Sequence, residues 1–200
     1  MHTAYLSHVP TSVGDRRAPQ ENNCTGVWEV VQAARQAGSG RVVYAASSSA
    51  YVDTPTVPMV ETMATAPLSP YAVAKLAGEL DCQAFYKVYG LETVALRYFN
   101  VFGPRQDPRS HYAAVIPRFA TAALKGQPAV IYGDGEQSRD FCFIEDVVAA
   151  NLLAAEVSAA AGRVFNVARG GPVSTNPVPR MREQLWRHPS PPRRDPAERC

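Results

Sequence analysis

Residues 41–49 read Arg-Val-Val-Tyr-Ala-Ala-Ser-Ser-Ser. An apolar run this compact suits a strand buried on both faces, the pattern of parallel sheets. Further on, Ser69-Pro70-Tyr71 has the form of a helix start, with Ser69 as N-cap and Pro70 at the first helical position. Gly90, after Tyr89, is placed to close that helix. Glu92 to Phe99 then reads as a second strand, Thr-Val-Ala-Leu-Arg-Tyr-Phe after the glutamate. Strand, helix and strand in alternation predict an α/β fold with a parallel sheet. The three serines fall at the carboxyl end of the first strand, where open parallel sheets bind ligands.

Working outward, His2 to Val13 reads as a short strand end and a loop, and about Asn23 to Ala37 as a helix ended by Gly38. Residues 54–68 are rich in Pro and Thr and read as loop. Asn100 to Tyr112 is polar and turn-rich, with Gly103-Pro104 and Asp107-Pro108. A helix is predicted from Ala113 or Ala114 to Leu124, with Pro117 near its first turn. A short strand follows at Ala129 to Tyr132, stopped by Gly133-Asp134-Gly135. Ile144 to Val157 reads as a helix and Arg163 to Ala168 as a strand. Residues 172–200 hold seven prolines and six arginines, and a disordered tail is expected there.

The whole chain of 200 residues has a formal net charge of +2, which hides an asymmetry. Residues 1–171 carry 14 Lys/Arg against 15 Asp/Glu, and residues 172–200 carry six Arg against three Asp/Glu. The basic excess is in the tail, so the body has no nucleic-acid footprint. No segment has the pattern of a signal peptide, and no apolar run is long enough to cross a membrane. Cys24, Cys82, Cys142 and Cys200 form no C-x-x-C pair. They read as reduced thiols of a cytoplasmic protein, with no metal site implied.

The chemistry concentrates at Tyr71 and Lys75, four residues apart, with the run Ser47-Ser48-Ser49 beginning 24 residues before the tyrosine. Tyrosine is a poor base, with an unperturbed pKa of about 10. A lysine one helical turn away would favour the phenolate, as would a place in the first turn of a helix. A nearby serine hydroxyl can hold a substrate oxygen and pass its proton along. The set suits taking a proton from an alcohol while hydride leaves the carbon. With only three lysines in the chain, the spacing arises by chance roughly 0.1 times, so alone it is a modest signal beside an ordinary surface pair on an amphipathic helix.

Five stretches in order make the pattern more specific: Tyr-Ala-Ala-Ser-Ser-Ser-Ala-Tyr (44–51), Ser-Pro-Tyr-Ala-Val-Ala-Lys (69–75), Leu-Arg-Tyr-Phe-Asn-Val-Phe-Gly-Pro-Arg (96–105), Tyr-Ala-Ala-Val-Ile-Pro-Arg (112–118) and Gly-Asp-Gly-Glu-Gln-Ser-Arg-Asp-Phe (133–141). Over about residues 2–175 the chain resembles the extended short-chain dehydrogenase/reductase family, the NAD-dependent sugar-nucleotide epimerases and dehydratases. The likeness is strongest to the UDP-N-acetylglucosamine 4-epimerases that use a triple-serine segment. It implies a partial Rossmann-like, doubly wound parallel sheet without its first strands, together with part of a small substrate-binding domain. Residues 1–100 would belong to the NAD-binding domain and 101–171 to a substrate-binding region interleaved with it, leaving 172–200 as the tail.

The resemblance also implies roles. Ser47 matches the catalytic Ser/Thr, Tyr71 the acid/base, and Lys75 its ribose-binding partner. Thr3, Ala4, Tyr5, Leu6, Ser7, Asn23 and Phe99 match positions lining the NAD. Ser48 and Ser49 would face the sugar, Asn100 and Arg139 the diphosphate, and Ala114, Val115 and Tyr132 the nucleotide. Read without the pattern, Asn100 caps a turn and Arg139 pairs with Asp140 or Asp134. The implied reaction is epimerisation at C4 of a UDP-sugar through a 4-keto intermediate. A 4,6-dehydratase would carry Asp-Glu where Ser48-Ser49 stand. The implied assembly is a homodimer through helices at about 23–37 and 70–89. Departures are Val52 for the usual glycine, and His8 and Thr11 for a serine and an arginine. No G-x-G-x-x-G turn occurs in the sequence. A truncated or frameshifted copy, or a misplaced start codon, is therefore the expectation, with an inactive fragment or dimerising module as the alternative to an enzyme.

Overall fold

The computed structural model describes residues 20–51, 56–107, 115–128, 130–132, 135–174 and 193–195, and for Gln20, Tyr132 and Arg193–Asp195 it describes the backbone. The described chain divides into two compact units. One is drawn from Met1–Phe99 and Glu145–Val167, the other from Asn100–Ile144 and Ala168–Cys200.

The first unit is built on a parallel sheet of β1 (Arg41–Ser47), β2 (Glu92–Tyr98) and β7 (Val164–Val167), in the order β1-β2-β7. Arg41 stands opposite Glu92 and Ser47 opposite Tyr98, while Ala95 to Tyr98 pair with Val164 to Val167. β2 is central and has five consecutive buried residues, Thr93 to Arg97. The two-faced burial expected of β1 belongs to β2 instead. Among the described residues β1 has a neighbour on one side only, and only its Tyr44 and Ala46 are buried.

Two helices cover this sheet. α1 (Gly26–Gln36) follows a π-helical turn at Gln20–Thr25 and ends before Gly38, whose φ of +65° is a glycine conformation. α2 (Pro70–Tyr89) has the boundaries its sequence predicts: Ser69 Oγ accepts from the Ala72 N–H at 3.1 Å, and Gly90 takes the left-handed cap at φ +70°. Val27 and Val31 of α1, Cys82 and Phe85 of α2, and Tyr44, Ala46, Leu91 and Ala95 form one core. Truncating Phe85 to alanine there would cost about 3–5 kcal/mol. α4 (Ile144–Glu156) precedes β7, and Arg41 caps its end by donating to the carbonyls of Ala154 and Val157 at 2.9 and 2.8 Å.

In the second unit β3 (Asn100–Phe102) pairs in parallel with β6 (Phe141–Phe143), and α3 spans Val115–Leu124. Phe119 of α3 and Ile131 of β4 (Val130–Tyr132) share a small core. The expected loop at 100–112 therefore begins with a strand. The tail also carries backbone pairing where none is expected. β5 (Ser138–Arg139) runs antiparallel to β8 (Val173–Ser174), and β4 runs parallel to β9 (Arg193–Asp195). Ladder hydrogen bonds use backbone groups, which a Pro/Arg-rich composition leaves available at every non-proline residue.

Candidate active site

β1 ends at Ser47, and a 3-10 turn over Ser48–Ala50 follows. Ser47 Oγ caps that turn, accepting from the Ser49 N–H at 3.2 Å and from the Ser49 hydroxyl at 2.9 Å. It is also hydrogen-bonded to the Tyr71 phenol in the first turn of α2. Residues 24 apart in sequence thus meet because the sheet places the end of β1 beside the start of α2. Lys75, one turn further along α2, is 7% exposed. Its Nζ donates to the Ala45 carbonyl at 2.8 Å and lies 5.5 Å from the centre of the Tyr44 ring, whose hydroxyl in turn donates to the Lys75 carbonyl at 3.3 Å.

The electrostatics differ from the sequence expectation. Burial raises the Tyr71 phenol above its ordinary value, and the hydrogen bond with Ser47 offsets this in part. Burial also lowers Lys75 to about 8. A helix position and a lysine were expected to favour the phenolate, but removing that anion from water is the larger effect in this state. In this state Lys75 gives up its proton more readily than an exposed lysine, whereas Tyr71 ionises less readily than an exposed tyrosine.

The other predicted residues divide by unit. In the first, Phe99 follows β2 and donates its N–H to the Val167 carbonyl at 3.2 Å. Asn23 lies in the π turn before α1 and is fully buried. In the second, Asn100 opens β3 and donates both its backbone N–H (3.0 Å) and its side-chain amide (3.2 Å) to the Asp140 carbonyl. Arg139 is exposed on β5 and donates to the Ser138 carbonyl at 2.8 Å. The structure thus brings Asn100 close to Arg139 through Asp140. The Asp140 carboxylate accepts from the N–H groups of Arg169 and Gly170, both at 2.8 Å. Val115 begins α3. Thr3, Ala4, Tyr5, Leu6, Ser7 and Ala114 lie outside the described residues, as do His8, Thr11 and Val52, and Tyr132 is described only as backbone in β4.

One set of residues escaped the sequence reading. Arg97 of β2 and Glu79 of α2 form a buried two-pronged ion pair, Nε to Oε2 at 2.8 Å and Nη2 to Oε1 at 2.6 Å. A signal was present: Arg97 interrupts an otherwise apolar strand, and a buried cation requires a carboxylate. Glu79 continues the i, i+4 spacing of Tyr71 and Lys75.

At the sheet's carboxyl end a buried ammonium stands near a phenol tied to a serine, hydrogen-bonding groups of the kind that the ribose hydroxyls of a dinucleotide require. Cys24, Cys82 and Cys142 are in no disulfide among the described residues. No helix among the described residues is long and apolar enough to cross a membrane.

The sequence profile of the NAD dependent epimerase/dehydratase family matches residues 1–168. A UDP-glucose 4-epimerase of Mycolicibacterium smegmatis is 38% identical over 175 residues, covering 87% of this chain and 55% of that protein. The solved UDP-N-acetylglucosamine 4-epimerase of Methanobrevibacter ruminantium, in complex with UDP-N-acetylmuramic acid, superposes with a TM-score of 0.91 at 39% identity, over 98% of this chain and 63% of that one. The UDP-glucuronic acid 4-epimerase of Bacillus cereus, solved with UDP-glucuronic acid and NAD, gives 0.86 at 29% identity, over 99% and 62%. The chain spans about half the length of the curated relatives it matches. With its parallel α/β sheet and its Ser47–Tyr71–Lys75 constellation, the chain belongs to the NAD-dependent epimerase/dehydratase family.

Proposed function

We propose that the protein interconverts the C4 epimers of a UDP-sugar, either UDP-glucose and UDP-galactose or their N-acetylamino forms. The observation that carries this reading is the hydrogen bond between Ser47 and Tyr71, made at the carboxyl end of a parallel sheet beside the buried Lys75. The names of the relatives, UDP-glucose and UDP-N-acetylglucosamine 4-epimerases, support the substrate class.

In this reading Ser47 Oγ holds the sugar 4-hydroxyl and Tyr71 Oη takes its proton, returning it once the opposite face of C4 is presented. Lys75 Nζ holds the cofactor ribose and compensates charge on the Tyr71 oxygen. NAD, when bound, supplies the acceptor and donor of hydride at C4. Thr3 to Ser7, Asn23 and Phe99 line the cofactor. Ser48 and Ser49 face the sugar, Asn100 and Arg139 hold the diphosphate, and Ala114, Val115 and Tyr132 hold the nucleotide. Ser48 and Ser49 offer no carboxylic acid for eliminating water, which favours epimerisation over dehydration.

Incubation with NAD and each UDP-sugar, followed by proton NMR, tests the reaction. The C4 epimer should appear, and Tyr71→Phe should slow it by about 10²–10⁴-fold, the usual worth of acid–base catalysis. Unchanged turnover in Tyr71→Phe would rule out the assigned base. A 4-keto-6-deoxy product would favour the dehydratase.

We also propose a homodimer through α1 and α2. Trp28 of α1 is 44% exposed and Leu80 of α2 54% exposed, apolar surface that a monomer leaves in water. Light scattering should show a dimer that Leu80→Arg converts to monomer; a monomeric parent would refute this assembly.

A further inference from the structure

The serines of the proposed site sit on a short turn, and short turns hold catalytic geometry only when anchored at both ends. β1 anchors this one at Ser47. The other end is Tyr51, which is 5% exposed. Its N–H closes the turn on the Ser48 carbonyl at 3.1 Å, and the preceding Ala50 carbonyl accepts from the Ala66 N–H at 3.0 Å.

Three groups fix the Tyr51 side chain. The Arg97 guanidinium lies over its ring, 4.6 Å from the centre. Arg97 is itself clamped by Glu79, and Tyr51 is the second partner of its buried charge. The Phe99 ring is tilted against Tyr51, with centroids 6.4 Å apart. The Tyr51 hydroxyl donates to Asn166 Oδ1 on β7 at 2.7 Å. Asn166 is in turn bound to the loop before α2: its Nδ2 donates to the Met59 carbonyl at 3.0 Å and its N–H to Glu61 at 2.7 Å. α2, β2, the serine turn, β7 and the 56–66 loop are thus linked through one phenol.

We propose that Tyr51 is a positioning residue: seated on Arg97 and tied to Asn166, it fixes the Ser47–Ser49 turn so that Ser47 Oγ stays within hydrogen-bond reach of the Tyr71 hydroxyl. The inference rests on the reading of Ser47 and Tyr71 as a working pair, yet its geometry stands without any turnover.

The test places 3-fluorotyrosine at position 71 of the full chain and follows its fluorine resonance. Ser47→Ala sets the shift for loss of the Ser47 bond. Tyr51→Phe keeps the ring on Arg97 and removes the hydroxyl, with its bond to Asn166. It should displace the resonance in the same direction by at least half as much, and in a Ser47→Ala background it should add nothing further. Asn166→Leu, which removes the acceptor and leaves Tyr51 intact, should give the same reading and serves if Tyr51→Phe folds poorly. A resonance left in place by both changes, with only the melting temperature lowered, would overturn the proposal by showing Tyr51 to be structural alone. Absence of epimerase activity in the parent would count against the proposed function and leave this result untouched.

Discussion

Replacing Gly78 by alanine sets two effects against each other. At an exposed position in mid-helix the change stabilises by about 1 kcal/mol, because glycine is the costlier residue there. Gly78 is buried against β1. An added Cβ would stand 2.5 Å from Tyr44 Oη, 2.7 Å from Tyr44 Cζ and 3.0 Å from Val27 Cγ1. Both neighbours are core residues, and the Tyr44 hydroxyl is engaged with the Lys75 carbonyl. Overpacking of this kind costs about 1–3 kcal/mol, and pushing the hydroxyl off its acceptor forfeits about 1 kcal/mol more. The expected net effect is a loss of about 1–3 kcal/mol, once the gain in helix propensity is set against these costs. Urea unfolding with an unchanged m value reads it directly. In a Tyr44→Leu background most of the obstruction is gone, and the same Gly78→Ala change should then stabilise by up to about 1 kcal/mol. A Gly78→Ala chain as stable as its parent would refute the close seating of Tyr44 on α2, and with it the account of how the Lys75 side chain is held.

The buried ion pair makes a second prediction. Arg97→Met strands the Glu79 carboxylate and should cost about 3–5 kcal/mol, whereas Glu79→Met with Arg97→Met together should cost far less; equal losses from the two would contradict a net-costly buried pair. A third concerns pH. Burial lowers Lys75 to about 8 from the ordinary lysine value of 10.5, so the folded chain binds fewer protons between those values and gains stability as pH rises through them. Below about 8 the full burial cost of about 3 kcal/mol is present. Lys75→Met should therefore gain on the parent at pH 7 and lose that advantage toward pH 10, as measured by urea unfolding at both values; an advantage independent of pH would refute the burial of the ammonium.

α2 was readable residue by residue because its boundaries are local chemistry: a serine cap, a proline that needs no N–H, and a glycine able to take positive φ. β1 and β2 were readable for a similar reason, since each is a short and mostly apolar run. β3 and β6 were not. Each is three residues long, and their pairing joins Asn100 to Phe141, a contact that no window of local sequence contains. The same holds for β9 in the Arg/Pro-rich tail. At the site, Tyr71 and Lys75 could be named from type and spacing, and Ser47 from the family resemblance. The acidity of Tyr71 could not, because it depends on how much water the fold removes from the phenol. Nor could the complete burial of Asn23, a polar residue in what reads as a helix start. Arg97 was visible as a misfit in an apolar strand, while its partner became identifiable only once α2 was laid on β2.

The most direct measurement is NAD binding by the purified full chain, by equilibrium dialysis, beside Lys75→Met. The account predicts that the chain holds NAD and that Lys75→Met holds it at least tenfold less tightly, about 1.4 kcal/mol for one charge-assisted contact. No uptake by the parent, or equal uptake by Lys75→Met, would contradict the claim that the end of the sheet beside Lys75 is a dinucleotide site.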